Sequence, residues 1–119
     1  MRNIVLLLIV FVTANVRAQQ DSKVTTFHRM LILNKNQELL VVKLKNYDFW
    51  VTPGLYQNSK QTIKQGIDSI ASTYGLKIKD IQLRGVYGLT IPAKSTYSTR
   101  NIFQMYTDDV INKLPTNIE

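Results

Sequence analysis

The chain contains no cysteine and one histidine, and its 8 acidic residues are outnumbered by 15 Lys and Arg. Without thiols neither a disulfide nor a thiolate metal site can form. A small exported domain of this composition must therefore be held by packing alone. His28, the lone histidine, lies in an apolar stretch and reads as a half-buried structural residue. No Gly-x-Ser-x-Gly turn marks a serine nucleophile. No apolar run reaches the ~20 residues that a membrane-spanning helix needs. The basic residues form no run and no repeat. A nucleic-acid footprint is normally a patch or stripe, so scattered lysines read as a solvated surface and no specific nucleic-acid partner is expected.

Residues 1–3 are a short basic start, residues 4–12 are uninterrupted apolar sequence, and Val16-Arg17-Ala18 offers the positions a signal peptidase reads. This is the three-part layout of a secretory signal peptide. Export is expected, periplasmic or secreted, with cleavage after Ala18. Contact with a membrane is expected only if that segment stays attached. Removal of residues 1–18 takes away Arg2 and Arg17 and leaves 13 basic against 8 acidic side chains. Residues 19–26 read as a flexible polar lead-in, and residues 27–119 as one domain of ordinary size, possible truncation at its end included.

Within that domain, residues 27–33 and 39–44 are apolar, β-branched-rich runs around the turn-forming segment 34–38, which predicts a β-hairpin. Phe49-Trp50-Val51 is a short strand stopped by Pro53-Gly54, with Trp50 and Phe49 assigned to the core. A helix follows, capped by Asn58 or Ser59 with Gln61 or Thr62 in the capping-box position. Ile63, Ile67, Ile70 and Tyr74 give it one apolar face. Gly75 suits the left-handed residue that closes a helix, with Leu76 folding back onto the last turn. Gly66 weakens the helix by ~1 kcal/mol relative to alanine unless a sheet packs closely there. Ile78 and residues 81–91 read as strand, with Leu83, Val86, Tyr87 and Leu89 in the core. Residues 92–99 read as a loop and residues 101–106 as a final strand. The order implies an α/β (α+β) sandwich.

Residues 54–76 have a frame that resembles the Nudix box: glycine, five residues, Glu, seven residues, Arg-Glu, an aliphatic, any residue, Glu-Glu, any residue, glycine, an aliphatic. Counted back from Gly75, the first glycine falls on Gly54 and the aliphatics on Ile70 and Leu76. The acid positions fall on Lys60, Ser69, Ser72 and Thr73, and the arginine position on Asp68. Trp50-Val51-Thr52-Pro53-Gly54 is similar to the family's Trp-x-x-Pro-Gly-Gly, with Leu55 in place of the second glycine. The resemblance covers most of residues 27–119. It implies an α/β/α sandwich with a mixed sheet, here without the helix that closes one sheet face in the family.

The resemblance also implies chemistry that these residues do not supply. Family members hold Mg²⁺ or Mn²⁺ through the box glutamates, and Mg²⁺ needs hard anionic oxygen. Neutral hydroxyls at Ser69, Ser72 and Thr73 do not balance a divalent charge, and Lys60 repels one. No catalytic residue, metal ligand or cofactor is therefore expected, and the main reading is a catalytically degenerate binding module. Lys60 near a helix N-terminus, Lys43 at a strand end and Tyr47 in the polar loop are the candidate contacts for an anionic small molecule or nucleotide. An alternative is an active hydrolase of nucleoside diphosphate derivatives that holds Mg²⁺ or Mn²⁺ through relocated acids, from Asp68, Asp80, Asp108 and Asp109. A third is a truncated or decayed product. An uncovered sheet face would expose apolar surface and favour self-association.

Overall fold

The computed structural model describes residues 23–119. The expected signal segment, residues 1–18, and the first part of the lead-in lie outside them. Strand β1 (Lys23–Leu33) starts inside the expected lead-in, because residues 23–26 pair with the last strand, β6 (Thr96–Tyr106). β2 (Val42–Lys43), β3 (Trp50–Val51) and β4 (Gly54–Tyr56) are short. Helix α1 (Ile63–Ser72) follows, then β5 (Lys79–Ile91), a single 3₁₀ turn (Pro92–Lys94) and β6. No helix among the described residues is long and apolar enough to cross a membrane.

The main sheet has the order β4-β1-β6-β5. β1 is parallel to β6 and antiparallel to β4, and β5 is antiparallel to β6. β2 and β3 form a second, two-stranded sheet. The mixed sheet and its helix bear out the α+β expectation. The expected hairpin of residues 27–33 with 39–44 forms only at its mouth, in a Leu33–Leu39 bridge and a Leu40 N–H bond to the Ile32 carbonyl. The same edge of β1 is taken further back by Pro53 and β4, since the Met30 N–H donates to the Pro53 carbonyl and β4 pairs with Phe27, His28 and Arg29, while β2 turns away to β3.

The loop expected over residues 92–99 is much tighter. Ser95 takes a left-handed conformation (φ 48°), closing the 3₁₀ turn so that β6 begins at Thr96. β5 and β6 therefore form one long hairpin that reaches past the helix. Leu83, Val86, Tyr87 and Leu89, expected in the core, are exposed: β5 is the edge strand of the sheet, and Tyr87 and Leu89 pair with Arg100 and Ser98 on the face away from α1. An apolar run alone does not say whether its strand lies at the edge of a sheet or which of its faces is covered.

The core lies between α1 and one face of the main sheet, where Met30, Ile32, Ile67, Ala71 and Met105 are fully buried. Tyr74 and Leu76 extend it, and Ile118 packs in from the C-terminal segment beside Val42. That segment returns to the β2 region: the Glu119 N–H donates to the Lys43 carbonyl and the Lys45 N–H to the Asn117 carbonyl. His28 is completely buried rather than half-buried, in β1 between its neighbours Leu55 of β4 and Asn101 of β6.

Candidate functional site

The glycine that opens the box frame is fixed by close approach. A Cβ on Gly54 would lie 2.8 Å from the His28 carbonyl oxygen and 2.4 Å from Phe27 Cζ, so only glycine lets β4 meet β1 there. The polar loop of residues 57–62 then leads into α1. The Asn58 carboxamide oxygen accepts the Lys60 N–H, which makes a local turn rather than a helix cap. The cap is Thr62: its hydroxyl accepts the Gln65 N–H at 3.1 Å, and the Gln65 side chain accepts the Thr62 N–H at 2.9 Å. The helix thus starts later than Asn58 or Ser59 would place it. The Ser/Thr-x-x-Gln spacing of a capping box occurs at Thr62-Ile63-Lys64-Gln65, and both of its bonds form there.

At the other end, Gly75 sits at φ +78°, the left-handed conformation expected of it. The Leu76 N–H donates to the Ala71 carbonyl and the Gly75 N–H to the Ser72 carbonyl. These two bonds are those of a Schellman closure.

Ser69, Ser72 and Thr73 lie on the exposed side of α1. The Ser72 hydroxyl donates to the Ser69 carbonyl at 2.7 Å, and the Thr73 hydroxyl to the Ile70 carbonyl at 2.6 Å. Their protons point into the helix's own last turn. Asp68 forms an ion pair with Lys64 one turn back, at 2.6 Å. This donor set does not fit Mg²⁺, which takes carboxylates with water and phosphate rather than hydroxyls committed to backbone carbonyls.

The other acids are engaged in the frame of the fold. Asp108 pairs with Lys79 at 2.6 Å. Hydrogen bonding from the Lys79 ammonium holds the Asp108 carboxyl below its ordinary value, and the same bond raises Lys79. Asp109 accepts the Lys77 N–H at 2.7 Å, tying the segment after α1 to the end of β6. Asp80 adopts φ +55° at the start of β5. Among the described residues, no group of three or more His, Asp or Glu is placed to hold a metal ion.

Of the three candidate ligand contacts, Lys43 and Tyr47 belong to the β2–β3 ribbon and its turn, and Lys60 to the loop before α1. Lys43 is half-buried and its ammonium meets the Glu119 carboxylate at 3.1 Å. Tyr47 is exposed, its ring edge-on to Phe49 with centroids 5.4 Å apart. Lys60 is exposed in the loop before α1. Phe49 and Trp50 are exposed, by 52% and 66%, and not core residues. The β2–β3 ribbon that carries Trp50 is only two residues long on each side.

An apolar groove of about 400 Å³ lies elsewhere, where the C-terminal ends of β1 and β6 meet the segment after α1. Leu39, Leu40, Leu76, Val110 and Ile111 make its apolar wall, and Glu38, Asp108 and Asp109 its rim. Sequence reasoning missed it because residues 107–114 have neither a helical nor a strand period to announce a wall.

His28 is held on both ring nitrogens. Asn101 Nδ2 donates to Nδ1 at 3.2 Å, so Nε2 carries the proton that goes to Gln57 Oε1 at 2.8 Å. That is a satisfied structural histidine locking β4, β1 and β6 together, with no side of the ring left for substrate.

No protein-family model and no curated protein sequence matches the chain. Solved structures do. A NUDIX hydrolase from Nitrosomonas europaea is 20% identical with a TM-score of 0.59, over 82% of this chain and 68% of that one. A UDP-X diphosphatase superposes with a TM-score of 0.65 at 18% identity, and there the chain spans only 48% of the other's length. A MutT protein from Methanosarcina mazei Go1 gives 0.60 at 17% identity, over 82% of this chain and 74% of that one. The element order, the Gly54 approach and the Gly75 closure stand where the box frame puts them, and the chain has a Nudix-like fold.

Proposed function

We propose that this chain is an exported, non-hydrolytic Nudix-fold protein that works as a binding module. The observation that carries the reading is the state of the box helix. Ser72 and Thr73 donate their hydroxyl protons to α1's own carbonyls, and Asp68 is paired with Lys64. A diphosphate-bound divalent ion would meet only the Asp68 carboxylate there, already paired with Lys64. In this reading the ligand is anionic and accepts from the Lys60 ammonium together with the N–H groups of Ile63 and Lys64, which the Thr62 cap leaves unused at the start of α1. Lys43 contributes only when it leaves Glu119. Tyr47 offers a ring for a base or another flat group.

The test is hydrolysis of a panel of nucleoside diphosphate derivatives, UDP-linked compounds included, with and without Mg²⁺ or Mn²⁺. It is read beside ADP binding by the same sample. No turnover, with ADP binding weakened by Lys60→Glu, is the expected result. Metal-dependent turnover overturns the reading and sends attention to the acids. ADP binding that ignores Lys60→Glu removes the anion contact while leaving the non-hydrolytic assignment in place. A cooperative thermal transition of the same sample is expected, and its absence would favour a decayed product.

One observation favours the hydrolase as the second reading: Glu38, Asp108 and Asp109 border a single groove. Asp108→Asn and Asp109→Asn separate the two readings, since only a hydrolase built on these acids loses turnover with them.

A further inference from the structure

We propose that the outer face of the four-stranded sheet docks an acidic amphipathic helix of another protein. The inference concerns a surface apart from the box helix and does not depend on what that helix binds.

Side chains alternate across a strand, and residues paired in a parallel ladder share a face. The face carrying His28, Met30, Ile32 and Met105 is the one covered by α1. The register therefore places Lys23, Phe27, Arg29 and Leu31 of β1 on the opposite face, beside Arg100 and Ile102 of β6. Side-chain contacts support this arrangement. The Arg29 and Arg100 guanidinium carbons lie 4.7 and 5.0 Å from the centre of the Phe27 ring. The ring of Tyr56, on β4, meets Phe27 edge-on at 5.0 Å. Arg84 of β5 joins the same face through its bond to Gln104 at 3.0 Å.

Lys23, Arg29, Arg84 and Arg100, scattered in sequence, thus become one basic patch around an apolar centre of Phe27, Leu31 and Ile102. No described acidic residue shares it. Asp80, the one acid within the sheet strands, borders a groove on the α1 side together with Ile63 and Ile67. Arg100 Nε is buried and has no acceptor. The face lacks a second layer among the described residues, although a sheet with an apolar face needs one.

Charge selects the occupant. A second copy laid face to face would set four basic side chains against four. Single-stranded nucleic acid wants open aromatic faces for stacking; Tyr56 and Tyr87 stand at the margins of this face, but its centre is aliphatic, Leu31 and Ile102, and guanidinium groups already approach Phe27. An amphipathic helix with carboxylates flanking an apolar stripe satisfies both chemistries. Its ~10 Å diameter also suits a sheet of four strands spaced ~4.8 Å apart.

The experiment is fluorescence anisotropy with the full chain and a labelled 18-residue peptide, leucine at helical i, i+3, i+4, i+7 spacing and glutamate elsewhere. A peptide with lysine in place of glutamate, a 12-nucleotide oligothymidylate, and the unlabelled chain itself by sedimentation serve as competing occupants. The acidic peptide is expected to bind, and the double variant Arg29→Glu/Arg100→Glu to weaken it at least ~10-fold. Arg84→Glu, at an exposed position, weakens it without threatening the fold, and Lys113→Glu, which lowers net charge equally away from the face, does not. Circular dichroism checks that the double variant is folded. Equal binding of the acidic and basic peptides, no response to Arg84→Glu, tighter binding of the oligonucleotide, or self-association through this face would each overturn the proposal.

Discussion

Leu55 of β4 packs into the space left by Gly66 of α1: a Cβ at position 66 would lie 2.6 Å from Leu55 Cδ1. The two residues are one device. Leu55 stands where the box frame usually has a second glycine, and its side chain reaches the helix at the turn that has no side chain. Alanine at 66 would improve helix propensity by ~1 kcal/mol, but it must push Leu55 out of a filled contact, which costs ~1–3 kcal/mol. Gly66→Ala is expected to lower stability by about 0–2 kcal/mol on that balance. Leu55→Ala in the same chain should recover part of the loss. Thermal unfolding of the two single variants and the double measures the coupling, and additive effects would show that the residues do not touch.

The start of α1 is tested by its cap. Thr62→Ala removes the acceptor of the Gln65 N–H and is expected to cost ~0.5–2 kcal/mol. Asn58→Ala, in the loop, should change stability by less than ~0.5 kcal/mol. Denaturant midpoints at unchanged slope are the measurement, and the reverse ranking would move the helix start back to residue 58.

Tyr74 gives the fold a pH dependence of known sign. Burial pushes its phenol above the ordinary 10.0, because the folded state disfavours the phenolate. A raised folded value means the contribution is complete below pH 10.0 and is lost as pH rises through the higher folded value. Stability should therefore fall on the alkaline side, and Tyr74→Phe should flatten that fall relative to the unaltered chain. Melting temperatures from pH 8 to pH 11.5 decide it; parallel curves would mean that Tyr74 is not the group responsible.

Restoring carboxylates tests the account of the box helix. Ser69→Glu/Ser72→Glu/Thr73→Glu places three acids on one side of α1 and should tighten Mn²⁺ binding by at least ~10-fold. Calorimetric titration of Mn²⁺ into both chains is the readout. Equal affinities would show that the side of α1 carrying these positions cannot form a metal site, whatever residues occupy it.

Much of this was legible beforehand where one local rule governs one residue. Gly75 needed a left-handed conformation and has it. Ile63, Ile67, Ile70 and Tyr74 needed one helix face, and Ile67 and Tyr74 are buried by it. What stayed illegible was decided by partners distant in the chain. Residues 39–44 look like the second arm of a hairpin, yet β1 gives its edges to β4 and β6, and only the topology says so. Leu83 and Val86 look like core because their strand is apolar, yet β5 is the edge strand of the sheet. Trp50 and Phe49 look like core because large aromatics usually are. The candidate contacts Lys43 and Lys60 were read from the family frame. That Glu119 meets Lys43 depends on a C-terminal return that no pattern in residues 107–119 announces. The basic face is the sharpest case, since lysines and arginines that form no run in sequence become neighbours through a register that composition does not reveal.

The parallel pairing of β1 with β6 also has a kinetic consequence. His28 and Asn101, neighbours across that ladder, are 73 positions apart in the chain. The central strand, with Met30 and Ile32, has no full set of partners until nearly all of the domain exists, since β4 pairs with only three of its residues. Loop closure over that separation must precede any reward from the contacts it makes, which slows the search for the native arrangement. During that wait β1 is an apolar strand with an open edge, the kind of segment that chaperones hold and that aggregates form on.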